Sequence, residues 1–149
     1  MRDPAPIAPE EARERAGRAA RFLAVDPRVK LVFLFGSAAD PERTLPVGDV
    51  DLAVLTEPPV DFWEFLRLGE RVAEAAGGDV DLVPLNEAGV VLAHEVAETG
   101  VCLHSDPPER ATEFVCRAIM RYLDFKPFLQ EQWRMLGERL EERRHGSAS

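Results

Sequence analysis

An α+β (α/β) fold, a small sheet flanked by helices, is what this sequence predicts, and three observations carry the prediction. Two short runs, VKLVFLF (29–35) and VDLAVL (50–55), are almost continuously apolar, the pattern of strands covered on both faces. Around them lie longer segments whose apolar residues recur every three or four positions, as along one side of a helix. The chain has 149 residues, 46% of them apolar, which suits one ordinary domain with its own core.

The elements follow in order. Pro9, Glu10 and Glu11 make a favourable first helical turn, and Ala12, Ala16, Ala19, Ala20 and Leu23 then share a face up to the Asp26-Pro27 break. The strand at 29–35 stops at Gly36-Ser37. A loop rich in proline, glycine and charge spans 38–48, and the next strand, 50–55, is closed by Glu57-Pro58-Pro59. Asp61 with Glu64 three residues on reads as a capping box. It opens a helix with Phe62, Phe65, Leu66, Val72, Ala73 and Ala76 as its apolar stripe, ended by Gly77-Gly78.

DVDLVPL (79–85) is a third strand, helical patterning returns over 86–98, and VCLH (101–104) is a short edge strand. From Pro108 onward two helices are expected, about 109–125 and 128–143, hinged at Pro127 because a proline ring interrupts the helical ladder. Phe128, Leu129, Trp133, Leu136 and Leu140 continue an apolar stripe along the last one. The final GSAS is expected to be without regular structure.

Composition excludes several function classes. With 18 basic and 27 acidic residues the formal charge is -9, which repels a phosphate backbone, so direct nucleic-acid binding is not expected. The opening MRDPAPIAPE has no apolar core of a signal peptide, and no apolar run approaches the roughly 18 residues of a membrane span. Cys102 and Cys116 form no C-x-x-C, so each is read as a buried, reduced thiol. A cytoplasmic protein without a membrane partner is the expectation.

The chemistry concentrates in GDVDLAVL, 48–55. Residues two apart on a strand point to the same face, so Asp49 and Asp51 set their carboxylates side by side. Such a pair repels itself unless a cation sits between, and Mg²⁺ is satisfied by one or two carboxylates plus phosphate oxygens and water. The plainer reading is a solvated strand end. Upstream, FGSAAD runs a buried strand into Gly36 and Ser37. There glycine lets a phosphate approach closely, and backbone N–H groups and a hydroxyl are available as donors. Taken alone, that too is only a turn. GDVDLVPL at 78–85 nearly repeats GDVDLAVL, suggesting a second strand with an acidic entrance.

Together, FGSAADPERTLPVGDVDLAVL resembles the signature of the DNA polymerase β-like nucleotidyltransferase superfamily: G-S, a loop of about a dozen residues, then D-x-D and an apolar strand. The later DVDLVPLNEAGVVLAHEVAETGVCLHS and RAIMRYLDFKPFLQEQWRML are similar to the minimal nucleotidyltransferases that act as antitoxins beside HEPN toxins. The resemblance covers roughly residues 20–140. It implies a nucleotidyltransferase fold with a small mixed sheet, one domain over 1–149 with a core of about 9–105, and a C-terminal helical extension of about 108–144.

It also implies roles. Gly36 and Ser37 match the positions that hold the nucleoside triphosphate, Asp49 and Asp51 the metal-binding carboxylates, and Asp81 the third acidic residue, near the acceptor hydroxyl. The implied catalytic and metal set is therefore Asp49, Asp51 and Asp81, with Mg²⁺ as cofactor and ATP as nucleotide substrate. Asp79 would be a strand-entry neighbour. The implied activity is transfer of AMP to a hydroxyl of a partner HEPN ribonuclease toxin in a hetero-oligomeric complex. The alternatives are a catalytically weak module that neutralises the toxin by binding, and a small-molecule (antibiotic) nucleotidyltransferase.

One departure bears on activity. Members commonly read G-S-x-A-R-G, whereas this chain has Asp40 at the arginine position, which removes a cation and adds repulsion; Arg43 is the nearby basic residue that would compensate. Tyr122, Phe125, Phe128 and Trp133 form a stripe that serves either the core or a helical partner. His94-Glu95 lacks the second histidine of H-E-x-x-H and reads as an ordinary helix pair, and Arg139, Arg143 and Arg144 as a solvated face.

Overall fold

The alternation of short apolar runs and amphipathic segments resolves, in a computed structural model that describes residues 5–146, into four strands and four helices. Helix α1 (Pro9–Ala24) precedes β1 (Val29–Phe35), and β2 (Asp51–Thr56) precedes α2 (Phe62–Ala76). Strand β3 (Asp81–Pro84), α3 (Val90–Thr99), β4 (Val101–Ser105) and α4 (Glu109–Gly146) complete the chain. The sheet order is β3-β2-β1-β4, with β1 antiparallel to both β2 and β4 and β2 parallel to β3, a mixed sheet as expected.

Strand parity divides the core in two. Val32, Leu34, Leu52 and Val54 point to the face covered by α1 and α2, where Ala12, Ala16, Ala19, Leu23, Leu68 and Val72 meet them. Leu31, Phe33, Phe35 and Ala53 point to the opposite face, beneath Val96 of α3 and Phe114 and Val115 of α4. Both faces of β1 are therefore dry, which is why its sequence does not alternate. Each such fully buried aliphatic side chain contributes about 1.5–3 kcal/mol.

The short strands and helix ends have local causes. Asp61 accepts the Glu64 N–H at 2.8 Å and caps α2, worth about 1 kcal/mol. The reciprocal half of the expected capping box is missing, because the Glu64 carboxylate turns instead to Arg28 Nη1 at 2.6 Å. Gly77 ends α2 at φ 78, and the Gly78 N–H returns to the Ala73 carbonyl at 3.1 Å. In the α2 stripe Phe65, Val72 and Ala76 turn inward with Leu68, while Phe62 and Leu66 remain exposed. β3 is shorter than the expected 79–85, and α3 starts at Val90 rather than at residue 86.

Two expectations are corrected. The chain after Pro108 is one helix, not two hinged at Pro127: α4 runs through the proline to Gly146. The carbonyl that Pro127 leaves without its helical partner, that of Leu123, belongs to an exposed turn open to solvent, so the helix formers on either side carry the helix through. Cys102 and Cys116 are free but exposed, because β4 is an edge strand and α4 buries little besides Ala118. The stripe on α4 is likewise outside the core: Phe128, Trp133, Leu136 and Leu140 are each more than half exposed. Tyr122, earlier on α4, docks inward, stacked on His94 at 3.6 Å between ring centroids. The expectation for GSAS falls mostly on residues 147–149, outside those described. Among the described residues no helix is long and apolar enough to cross a membrane.

Candidate active site

Parity that serves the core also sets the carboxylates. Val50, Leu52 and Val54 pack against α1 and α2, so Asp51 necessarily points to the other face, and Asp49, two residues earlier, stands exposed beside the strand entrance. Because β3 runs parallel to β2 with Asp51 opposite Asp81, the third carboxylate lies directly across the strand pair. All three acidic residues thus gather at the N-terminal ends of β2 and β3.

The turn after β1 closes on this cluster. Phe35 pairs with Asp51, and the chain then reverses at Gly36 with φ 75 and ψ -161 into a short 3-10 turn, Ser37–Ala39. A β-carbon on Gly36 would lie 2.7 Å from Asp51 Oδ2, so glycine is required both by the backbone angle and by the carboxylate pressed against it. The Ser37 side chain is exposed, and the Ala39 and Asp40 N–H groups close the turn onto the Gly36 and Ser37 carbonyls at 3.1 and 3.3 Å.

The electrostatics are those of a site lacking a positive charge. Asp51 is half-buried, and its pKa is pushed up to about 6, first by burial and then by the charges of Asp81, Asp49 and Glu95. Among the described residues no group of three or more His, Cys, Asp or Glu side chains is arranged to hold a metal ion by itself. Mg²⁺, a hard ion, takes one or two carboxylates and fills its remaining positions with phosphate oxygens and water, so the paired Asp49 and Asp51 would need no third protein ligand. A family model described as polymerase β, nucleotidyltransferase matches residues 18–109.

The chain belongs to this nucleotidyltransferase family. Protein adenylyltransferase MntA of Shewanella oneidensis is 35% identical over 74 residues, 50% of this chain and 52% of that one, so the match spans about half the length of that relative. The crystal structure of the toxin–antitoxin MntA–HepT aligns at 25% identity and a TM-score of 0.66, over 83% of this chain and 97% of that chain. A crystal structure of the toxin–antitoxin with AMP-PNP aligns at 26% identity and a TM-score of 0.67, over 82% and 95%.

Against that nucleotidyltransferase frame, the loop beside the turn differs from the sequence expectation. Arg43 does not stand in for the missing arginine: its Nε and Nη2 donate to the Leu45 and Pro46 carbonyls at 3.1 and 2.8 Å, tying it to its own loop. Asp40 accepts the Glu42 N–H at 3.0 Å and stays exposed. Glu95 has no motif of its own in the sequence. It reaches the charge field of Asp51 because α3 buries Ala93 and Val96 and leaves Glu95, between them, at the rim. Periodicity could have placed Glu95 on that rim, but nothing in the sequence says how close α3 lies to β2.

The two GDVDL segments also prove unlike. A β-carbon on Gly48 would meet nothing within 4 Å, whereas one on Gly78 would lie 2.3 Å from Arg15 Cζ. Arg15 reaches across from α1 and donates through Nη1 to the Asp79 carbonyl at 3.3 Å. The first glycine thus leads into the open carboxylate corner, and the second makes room for an arginine reaching over from α1.

Proposed function

We propose that this nucleotidyltransferase moves AMP from ATP to a hydroxyl of a partner HEPN toxin and thereby neutralises it. The single observation that carries the reading is the packed corner in which the Gly36 turn touches Asp51 while Asp51 faces Asp81. The likeness to a protein adenylyltransferase and to toxin–antitoxin structures, one with an ATP analogue, supports the nucleotide and the class of partner. The free, exposed thiols suit the cytoplasm, and the chain would act as a single unit with α4 as its helical extension.

Asp49 and Asp51 would hold Mg²⁺, and Asp81 completes the acidic set. Bound there, Mg²⁺ supplies positive charge to the triphosphate and to the departing pyrophosphate. The Gly36–Ser37 turn presents backbone N–H groups and the Ser37 hydroxyl to phosphate oxygens. Asp81 orients the acceptor hydroxyl and takes its proton as the acceptor oxygen bonds to the α-phosphorus. The bond from that phosphorus to the bridging oxygen breaks, and pyrophosphate leaves with the electron pair.

A second reading has its own observation. With Asp40 at the arginine position and Arg43 turned to its own loop, neither supplies a cation beside the turn, which favours slow transfer and neutralisation by binding alone. Intact-mass analysis of the co-expressed toxin after incubation with ATP and Mg²⁺ separates the two. One added AMP that vanishes with Asp49→Ala supports transfer. An unmodified toxin that is still neutralised by wild type and Asp49→Ala alike rejects it.

A further inference from the structure

Helix α4 carries one apolar seam through two settings. Ala111, Val115, Ala118 and Tyr122 follow one another by three or four residues and press on the sheet and α3. The same steps continue to Phe125, Leu129, Trp133, Leu136 and Leu140, and there the face lies open: the last three are each more than half exposed. A seam advancing by threes and fours is matched by another helix, whose side chains fill the gaps between its own.

Charge on the borders selects among occupants. Along one border Arg117, Arg121, Phe128, Met135, Arg139 and Arg143 succeed one another by four or seven residues, a row whose only charges are positive. Among the described residues, none of its four guanidinium groups has a hydrogen-bond or ion-pair partner. Lys126 stands on the other border. Asp124, Glu131, Glu138 and Glu142, again at steps of four or seven, lie on the side away from the seam, where Arg134 binds Glu131 and Glu138. A second copy laid seam to seam would set basic border against basic border in either direction, which disfavours self-pairing. Nucleic acid has nothing to offer the apolar seam, and the chain's charge of -9 repels it. A helix with acidic borders satisfies both seam and row.

We infer that the C-terminal half of α4 is the docking helix for the partner: it receives an amphipathic helix of the toxin, apolar side chains over Trp133, Leu136 and Leu140 and acidic ones beside Arg139 and Arg143. The inference rests on the choice of partner made above but not on transfer, and its test keeps the two apart. The full chain is titrated with the purified toxin by calorimetry, without ATP. Replacing Arg139→Glu and Arg143→Glu together weakens binding about tenfold, as does Trp133→Ser, whereas Glu131→Lys on the far row leaves it unchanged. All four positions are exposed, so these changes leave the core intact.

No binding, or binding indifferent to the reversed arginines or to Trp133→Ser, overturns the surface. Light scattering of the chain alone should give a monomer; a pair of copies that Trp133→Ser separates hands the seam to a second copy and overturns it too. So does a fluorescent single-stranded RNA that wild type binds and the reversed arginines release. Intact mass of the toxin after ATP and Mg²⁺ reports on transfer separately. A toxin that gains AMP while binding ignores α4 leaves transfer standing and removes the surface. Binding that obeys the variants with an unmodified toxin leaves the surface standing and removes transfer.

Discussion

Gly36 and Asp51 are in contact across the β1–β2 ladder, so that a β-carbon on the first would overlap Oδ2 of the second. The turn that would receive phosphate and the carboxylate that would receive metal are therefore one packed unit. Gly36→Ala should cost about 1–2 kcal/mol of stability, from the positive φ. It should also displace Asp51 and weaken AMP-PNP binding at least tenfold, read by denaturation and calorimetry. Normal nucleotide affinity in this variant would mean that the contact is incidental.

Asp51 itself carries a folding cost. Its folded pKa of about 6 lies above the unfolded value near 4, so the folded state holds the extra proton. The metal-free protein should lose stability as pH rises from about 4 to 6 and stay lower above that. Asp51→Asn removes this slope. At pH 7.5 it should stabilise the metal-free chain by about 1–2 kcal/mol, the full shift being discounted for partial solvent exposure. Transfer should fall ~10²-fold or more. Urea titrations across pH without divalent ions check the first effect, and radiolabelled ATP the second.

Asp26 behaves oppositely. Arg28 holds it through Nε at 3.2 Å and Nη2 at 2.9 Å, keeping its carboxyl below the usual range, and through Nη1 reaches Glu64 on α2. That contribution is fully present above the unfolded pKa near 4 and lost as pH falls through the folded value. Arg28→Ala should destabilise the protein at neutral pH, with a smaller difference from wild type near pH 3. An equal penalty at both pH values would assign the effect to packing instead.

Pro127→Ala restores the missing N–H beneath the Leu123 carbonyl. Helix α4 should gain up to about 3 kcal/mol of local stability, seen as slower amide exchange over residues 123–131 in the full chain. Nucleotide binding should not change. Unaltered exchange would mean that the helix already relaxes around the ring without cost.

Stacking of Tyr122 on His94 fastens α4 to α3, with His94 Nε2 also 3.2 Å from Glu98. Tyr122→Ala should cost about 2–3 kcal/mol, part from burial and part from the ring pair. Exchange protection should fall along α3 and the first half of α4 while β2 stays protected. Uniform loss across the sheet would show that α4 has no separable attachment.

Much of this architecture was legible because core burial repeats with strand and helix periods. The faces of β1 and β2 and the spacing in α1 follow from that. What escaped depends on distances between elements. The Gly36 contact with Asp51, the reach of Glu95 from α3, and the wedge of Arg15 over Gly78 each join segments far apart in sequence. Pro127 misled because its cost is local, and a helix with exposed flanks can absorb it. The cysteines misled because apolar neighbours in sequence do not reveal which side of β4 or of α4 is left uncovered.

Helix α4 is 38 residues long, about 57 Å at 1.5 Å per residue, and few of its side chains rest on the sheet. Friction grows with such a protruding rod faster than mass does. A lone copy will therefore tumble slowly and leave a sizing column early, and elution volume alone would pass a monomer off as a pair. Light scattering, which weighs the particle rather than timing it, would correct the mistake.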